Sequence, residues 1–217
     1  MIKKISGLFI LAALLLPVAA KADNVAWQFT SVTGTSSLAN DNFGVVFKPT
    51  ANIIVDELGY YDPPGGMLYS HEVGIYNSTG TLLTSANVAT YLGATLTDGF
   101  YYTSITPIEL YAGQTYVLDG FTSGVNVSDI SGADKYSVIT SGNVGPDGFA
   151  VSLPITILGD STISGTHLAD TGTAYATQND YFGADFEGYA TPEPSSLLLL
   201  GSGLAGLAGL LKRKLTA

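Results

Sequence analysis

Apolar and polar residues alternate with a period of two through most of the chain, and that spacing predicts strands rather than helices. Val25, Trp27 and Phe29 share one face of a first strand, and Phe43, Val45 and Phe47 share a face of another. Phe149, Val151, Leu153, Ile155 and Ile157 alternate with Ala150, Ser152, Pro154 and Thr156. Pro154 has no N–H to donate, so this strand is expected at a sheet edge or with a bulge. Phe182, Ala184 and Phe186 form a last strand. Between Glu72 and Val88, the turn Asn77-Ser78-Thr79-Gly80 separates Val73 and Ile75 from Leu82-Leu83. Asn and Gly tolerate positive φ, which predicts a hairpin there. A second unit joins strand Phe100–Ile105, Pro107, Ile108-Glu109-Leu110, a turn at Ala112-Gly113 and strand Thr115–Phe121. No stretch between Asp23 and Thr191 has helical spacing. Roughly ten short strands, with turn signals about every 8–12 residues, predict an all-β fold: an antiparallel sandwich of jelly-roll type.

The two ends break the pattern. Lys3 and Lys4 precede an apolar run from Ile5 to Ala20, followed by Ala20-Lys21-Ala22. A cationic start, a short apolar core and small residues at Ala20 and Ala22 are the marks of a secretory signal peptide, cleaved after Ala22 by signal peptidase. At the other end, Pro192-Glu193-Pro194 precedes the uncharged run Ser195–Leu211, and Lys212, Arg213 and Lys214 follow. As a helix at about 1.5 Å per residue the run measures roughly 26 Å, just enough for a transmembrane helix with local thinning of the bilayer. The cationic cluster stays in the cytoplasm, leaving everything before it outside. Pro192 and Pro194 hold their neighbours extended, which suits a protease that grips an unwound strand. The expected organisation is a signal peptide over 1–22, a β-sandwich over 23–186, a stalk over 187–194, and a membrane helix with basic tail over 195–217.

Charge and cysteine content narrow the function. From Asp23 to Thr191 the only cations are Lys48 and Lys135, against 17 carboxylates, a net charge of about −15. Such a surface repels nucleic acid and acidic polymers. There is no cysteine. An exported protein without disulfides must rely on its core and backbone hydrogen bonds, and thiolate metal sites and cysteine nucleophiles are excluded.

The ordered set of Pro-Glu-Pro-Ser-Ser, a Leu/Gly/Ala-rich run and a terminal basic cluster resembles the PEP-CTERM sorting signal. That resemblance implies an exported, membrane-anchored precursor in a Gram-negative bacterium. It also implies recognition by an exosortase near Pro192, Glu193 and Pro194 and delivery to the cell surface or the exopolysaccharide matrix. The segment from about Phe43 to Phe121 resembles a family of uncharacterised extracellular β-sandwich modules. The resemblance rests on Leu58-Gly59-Tyr60-Tyr61-Asp62, His71-Glu72-Val73-Gly74-Ile75-Tyr76-Asn77, Gly80-Thr81-Leu82-Leu83, Ile105-Thr106-Pro107-Ile108-Glu109-Leu110 and Ala112-Gly113-Gln114-Thr115-Tyr116-Val117. It implies a fold and no reaction.

Catalytic constellations are thin. A Ser-His-Asp triad would need His71 or His167, and no Gly-x-Ser-x-Gly elbow occurs in the exported region. Carboxylates for glycoside hydrolysis cannot be paired from sequence. Calcium is the one ion that loop carboxylates would hold, with Asp129, Asp134, Asp180 and Asp185 as candidate ligands; no cofactor is otherwise expected. Adjacent tyrosines in a strand point to opposite faces, so one of each pair is core and its neighbour is rim. Tyr61 and Tyr102 are the candidates for a carbohydrate-stacking platform. The reading is a secreted, surface-sorted structural or interaction protein without catalysis, associated with the biofilm matrix. A carbohydrate-binding module that engages exopolysaccharide is the first alternative and a matrix-modifying hydrolase the second.

Overall fold

The computed structural model describes residues 24–29, 34–36, 41–62, 67, 69–89, 95–122, 136–139, 149–165, 167–173, 180–191 and 194–216. Its strands, in chain order, are β1 (Asn24–Val25), β2 (Trp27–Phe29), β3 (Gly34–Ser36), β4 (Asp41–Pro49), β5 (Ile53–Tyr61), β6 (His71–Asn77), β7 (Leu82–Val88) and β8 (Thr95–Thr97). They continue with β9 (Phe100–Leu110), β10 (Tyr116–Thr122), β11 (Tyr136–Ile139), β12 (Phe149–Val151), β13 (Ile155–Ser164), β14 (Asp180–Phe182) and β15 (Ala184–Ala190). Among the described residues one helix, α1 (Pro194–Thr216), follows β15.

The expected all-β class holds. Two five-stranded sheets carry the fold, one in the order β1-β15-β5-β9-β8 and the other β13-β4-β10-β6-β7; a three-stranded sheet β14-β11-β3 and the pair β12-β2 accompany them. The ladders are antiparallel. One apolar cluster takes residues from both large sheets, among them Phe47, Ile75 and Leu118 from one and Val55, Leu58 and Phe186 from the other. Trp27 seals it, its ring edge-on to Phe47 at 6.3 Å and to Phe186 at 5.7 Å. Aromatic pairs at this spacing add to the burial of their area.

The hairpin expected over Glu72–Val88 forms from β6 and β7. Asn77 Oδ1 accepts the N–H groups of Thr79 and Thr81, and Gly80 takes φ 78°. A second hairpin, β8–β9, turns on Asp98-Gly99 with φ of 49° and 86°. Asp-Gly is a strong hairpin signal that the periodicity argument passed over.

Several expectations are corrected. The unit Phe100–Phe121 is not one local pairing: β9 pairs with β5 and β8 while β10 pairs with β4 and β6, so the turn at Ala112-Gly113 carries the chain from one sheet to the other. Pro107 lies at a bulge in β9, where Val55 opposes Ile108 and Glu57 opposes Ser104. The single strand expected over Phe149–Ile157 is two strands, β12 and β13, which pair with different partners; Pro154 falls in the break between them. The expected stalk is shorter than 187–194, because Glu187–Ala190 continue β15 in register with β5.

The run 195–211 is helical. The 23-residue α1 starts on Pro194, whose missing N–H costs nothing at a first helical position, and ends with Arg213 and Lys214 at its negative pole. Leu200, Leu204, Leu207, Leu211 and Leu215 are exposed. Among the described residues, however, no helix is long and apolar enough to cross a membrane. The transmembrane expectation therefore gains no support from the structure: Gly201, Ser202, Gly203, Gly206 and Gly209 interleave the leucines and add little apolar surface.

Candidate functional site

The expected sugar platform is not a surface. The alternation rule holds, since Tyr61 pairs across from Phe100 and Tyr102 from Gly59, on the face opposite Tyr60 and Tyr101. That face is covered as well. Phe29 of β2 lies 5.2 Å from the rings of both Tyr61 and Phe100, and Gln28 ties β2 to the β8–β9 turn through Asp98 at 2.6 Å. Tyr61 is half-buried and Tyr102 is 2% exposed. The Tyr102 hydroxyl donates to Asp185 Oδ2 at 2.5 Å. Burial drives both pKa values up, that of Tyr102 and that of Asp185. Burial also raises Tyr61, with a smaller contribution from Asp62.

Asp185 is thereby withdrawn from the calcium candidates. It is fully buried and held by Tyr102 and by the N–H groups of Phe186 and Trp27, facing the core rather than a loop. Asp180 lies in β14, in a different sheet from Asp185. Asp129 and Asp134 lie outside the described residues, as do Ala20, Ala22, Pro192 and Glu193. Among the described residues no group of three or more His, Cys, Asp or Glu could hold a metal ion. His71 is buried too: it stacks on Tyr60 with ring centroids 3.7 Å apart, and its Nδ1–H donates to the carbonyl of Phe121.

A second buried centre lies on the other large sheet. Gly44, Asp119 and Gly74 face one another across β4, β10 and β6. The two glycines leave a trough beside the carboxylate. The segment 167–172 lies in it as a strap, with Leu168 packed on Val46, Tyr76, Val117 and Phe121. Thr171 donates its hydroxyl to Asp119 Oδ1 at 2.6 Å and its N–H to Oδ2 at 3.2 Å. Asn42 secures the other end, donating to the carbonyl of His167 and accepting the N–H of Ala169. Burial pushes the Asp119 pKa up to about 7, although the bonds from Thr171 oppose the shift. The same charges, after burial, lift Tyr76 to about 12, through Asp119, Asp170 and Glu72. A Cβ on Gly44 would sit 2.1 Å from Thr171 Oγ1 and 2.2 Å from Asp119 Oδ1. Gly44→Ala is therefore expected to lift the strap and cost about 2–3 kcal/mol in urea unfolding; an unchanged midpoint would show that the strap is not seated there. Sequence reasoning missed this centre, although a carboxylate inside the apolar run Val117–Phe121 was a usable signal.

Two further features lie at the sheet ends. Thr191 N–H donates to the carbonyl of Asn52 at 2.9 Å, so the sandwich holds the chain up to the residue before Pro192. At the same end Asn52 accepts the N–H of Ala112 and donates to Glu109. The β9–β10 turn that these bonds brace carries Tyr111, which is 54% exposed.

Comparison with known families gives two matches. Residues 29–141 match the model of a domain of unknown function (DUF4082), and residues 190–214 match the PEP-CTERM protein-sorting motif. No curated protein matches the chain. The motif directs exosortase-dependent sorting to the surface of Gram-negative bacteria, and it begins on the last residue of β15.

Proposed function

This chain belongs to the DUF4082 family, and from that premise we propose that its sandwich is a non-catalytic structural or interaction module, presented at the cell surface or in the exopolysaccharide matrix. One observation carries the reading: the sorting motif starts where the sandwich ends, with Thr191 pinned to Asn52. The folded unit is then the cargo and the tail is its address. The precursor is exported by its signal peptide, engages the membrane through residues 195–211, and is processed by exosortase at Pro192–Pro194. The membrane step rests on the sorting motif and on the uncharged run that precedes Lys212, Arg213 and Lys214. The absence of catalysis is supported by the use of the two strongly perturbed carboxylates: Asp119 is bonded to Thr171 and Asp185 to Tyr102, both inside the fold.

Mass spectrometry of the surface form tests the processing step. Its C-terminus is expected within Pro192–Pro194 and its N-terminus at Asp23. A surface form that retains Lys212–Lys214 would contradict the proposal. Release of reducing sugar or peptide from native matrix by the purified chain would contradict the non-catalytic part.

A further inference from the structure

We infer that the cleft beside Tyr111 binds a short stretch of a neutral polysaccharide. The inference goes beyond the surface reading, needing it only to explain where such a polymer would be met. The cleft has a volume of about 350 Å³, at the small end of the range for small-molecule sites. It opens between the β6–β7 turn and the β9–β10 turn, and Asn77, Leu83, Glu109, Tyr111 and Gln114 are among its lining residues.

Three observations point to a sugar. Among the tyrosines whose side chains are described, Tyr111 is the exposed one, at 54%. Its position is built in advance: its N–H donates to the Tyr116 hydroxyl at 2.9 Å, its carbonyl accepts Gln114 N–H at 3.2 Å, Ala112 N–H donates to Asn52 Oδ1, and Gly113 N–H donates to the carbonyl of Pro49 at 2.8 Å. These bonds fix the main chain of the turn, so the ring's point of attachment is set before a ligand arrives, and an exposed aromatic ring offers contact area to the apolar face of a sugar. The lining also includes Asn77, Gln114 and Glu109; Asn77 Oδ1 is taken by its own turn and Glu109 Oε1 by Asn52, which leaves the Gln114 carboxamide, the Asn77 amide N–H groups and the second Glu109 oxygen to suit hydroxyl groups. Charge then selects among polysaccharides. The lining residues include no cation, and the exported portion carries about −15. Uronate or sulfate chains would be repelled, while uncharged hexose chains would not.

The test is calorimetric titration of the full chain with cellohexaose, laminarihexaose, a neutral galactomannan and alginate. At least one neutral glycan is expected to bind and alginate is not. Tyr111→Ala should weaken that binding at least about tenfold, Tyr111→Phe should retain it, and Leu96→Ala, at an exposed position on β8, should leave it unchanged. Thermal unfolding of each variant checks that the fold is intact. The inference is overturned if none of the neutral glycans binds, if Tyr111→Ala binds as the parent does, or if alginate binds as tightly as the neutral chains. None of these readings depends on tail processing, so failure here leaves the sorting proposal standing, and the reverse holds as well.

Discussion

Replacing Tyr102 by alanine is expected to cost the fold roughly 4–6 kcal/mol, the largest effect of any single tyrosine considered. Two losses combine. A ring that is 2% exposed leaves a cavity beside Phe100 and over Gly59. The fully buried carboxyl of Asp185 loses the hydroxyl that meets it at 2.5 Å. Tyr102→Phe separates the two, because it keeps the ring and removes only the hydroxyl; about 1–3 kcal/mol is expected for it. Tyr61→Ala removes a half-buried ring packed on Phe29 and Phe100 and should cost about 1–2 kcal/mol. Urea unfolding of the three variants gives the ranking. A Tyr102→Ala protein within about 1 kcal/mol of the parent would mean that the ring faces solvent, as a sugar platform would.

Acidification from pH 8 to pH 5 is expected to stabilise the protein. The sign follows from Asp119, whose folded pKa stands near 7 against an ordinary value of 3.8. Between these values the folded state binds more protons than the unfolded state, so stability falls as pH rises through the window and levels off above about 7. Over the whole interval between the two values the difference is on the order of 4 kcal/mol for this group, of which about 3 kcal/mol falls between pH 5 and pH 8. Asp185 acts in the same direction, since burial raises it well above its ordinary value. Asp170, Glu72 and Tyr76 are titratable neighbours of the strap and trough; Asp170 adds to the penalty on a charged Asp119, while Glu72 acts on Tyr76. Asp119→Asn should flatten much of the slope and raise stability at pH 8, because the amide can still bond Thr171 without carrying charge. Chemical denaturation at pH 5, 6, 7 and 8 on both proteins is the measurement. An equal slope in the two would remove Asp119 as the cause.

The positions that these variants probe show how far local pattern reaches. Period-two spacing identified the strand at Phe43–Phe47 and the β6–β7 hairpin, because these depend on residues a few places apart; the expected last strand Phe182–Phe186 is divided between β14 and β15, which lie in different sheets. The order of Pro-Glu-Pro, apolar run and basic cluster identified the sorting signal, because it is written in covalent sequence and read unfolded. Alternation also separated Tyr61 from Tyr60 and Tyr102 from Tyr101, as the pairing of β5 with β9 shows.

What lies on each face was a different question. Alternation states that neighbouring side chains point apart, and it does not state which side meets another layer. Phe29, distant in sequence, covers Tyr61 and Phe100, and the strap 167–172 covers Asp119, so a candidate binding residue becomes core and an unremarked aspartate becomes a titrating centre. Tyr111 stays outside because bonds from Asn52, Pro49 and Tyr116 hold its turn away from both layers. Strand identity and the tail's address thus belong to the sequence alone. Burial, and with it every shifted pKa and the exposure of Tyr111, is decided by contacts between segments far apart in the chain, which exist only once the sheets have packed.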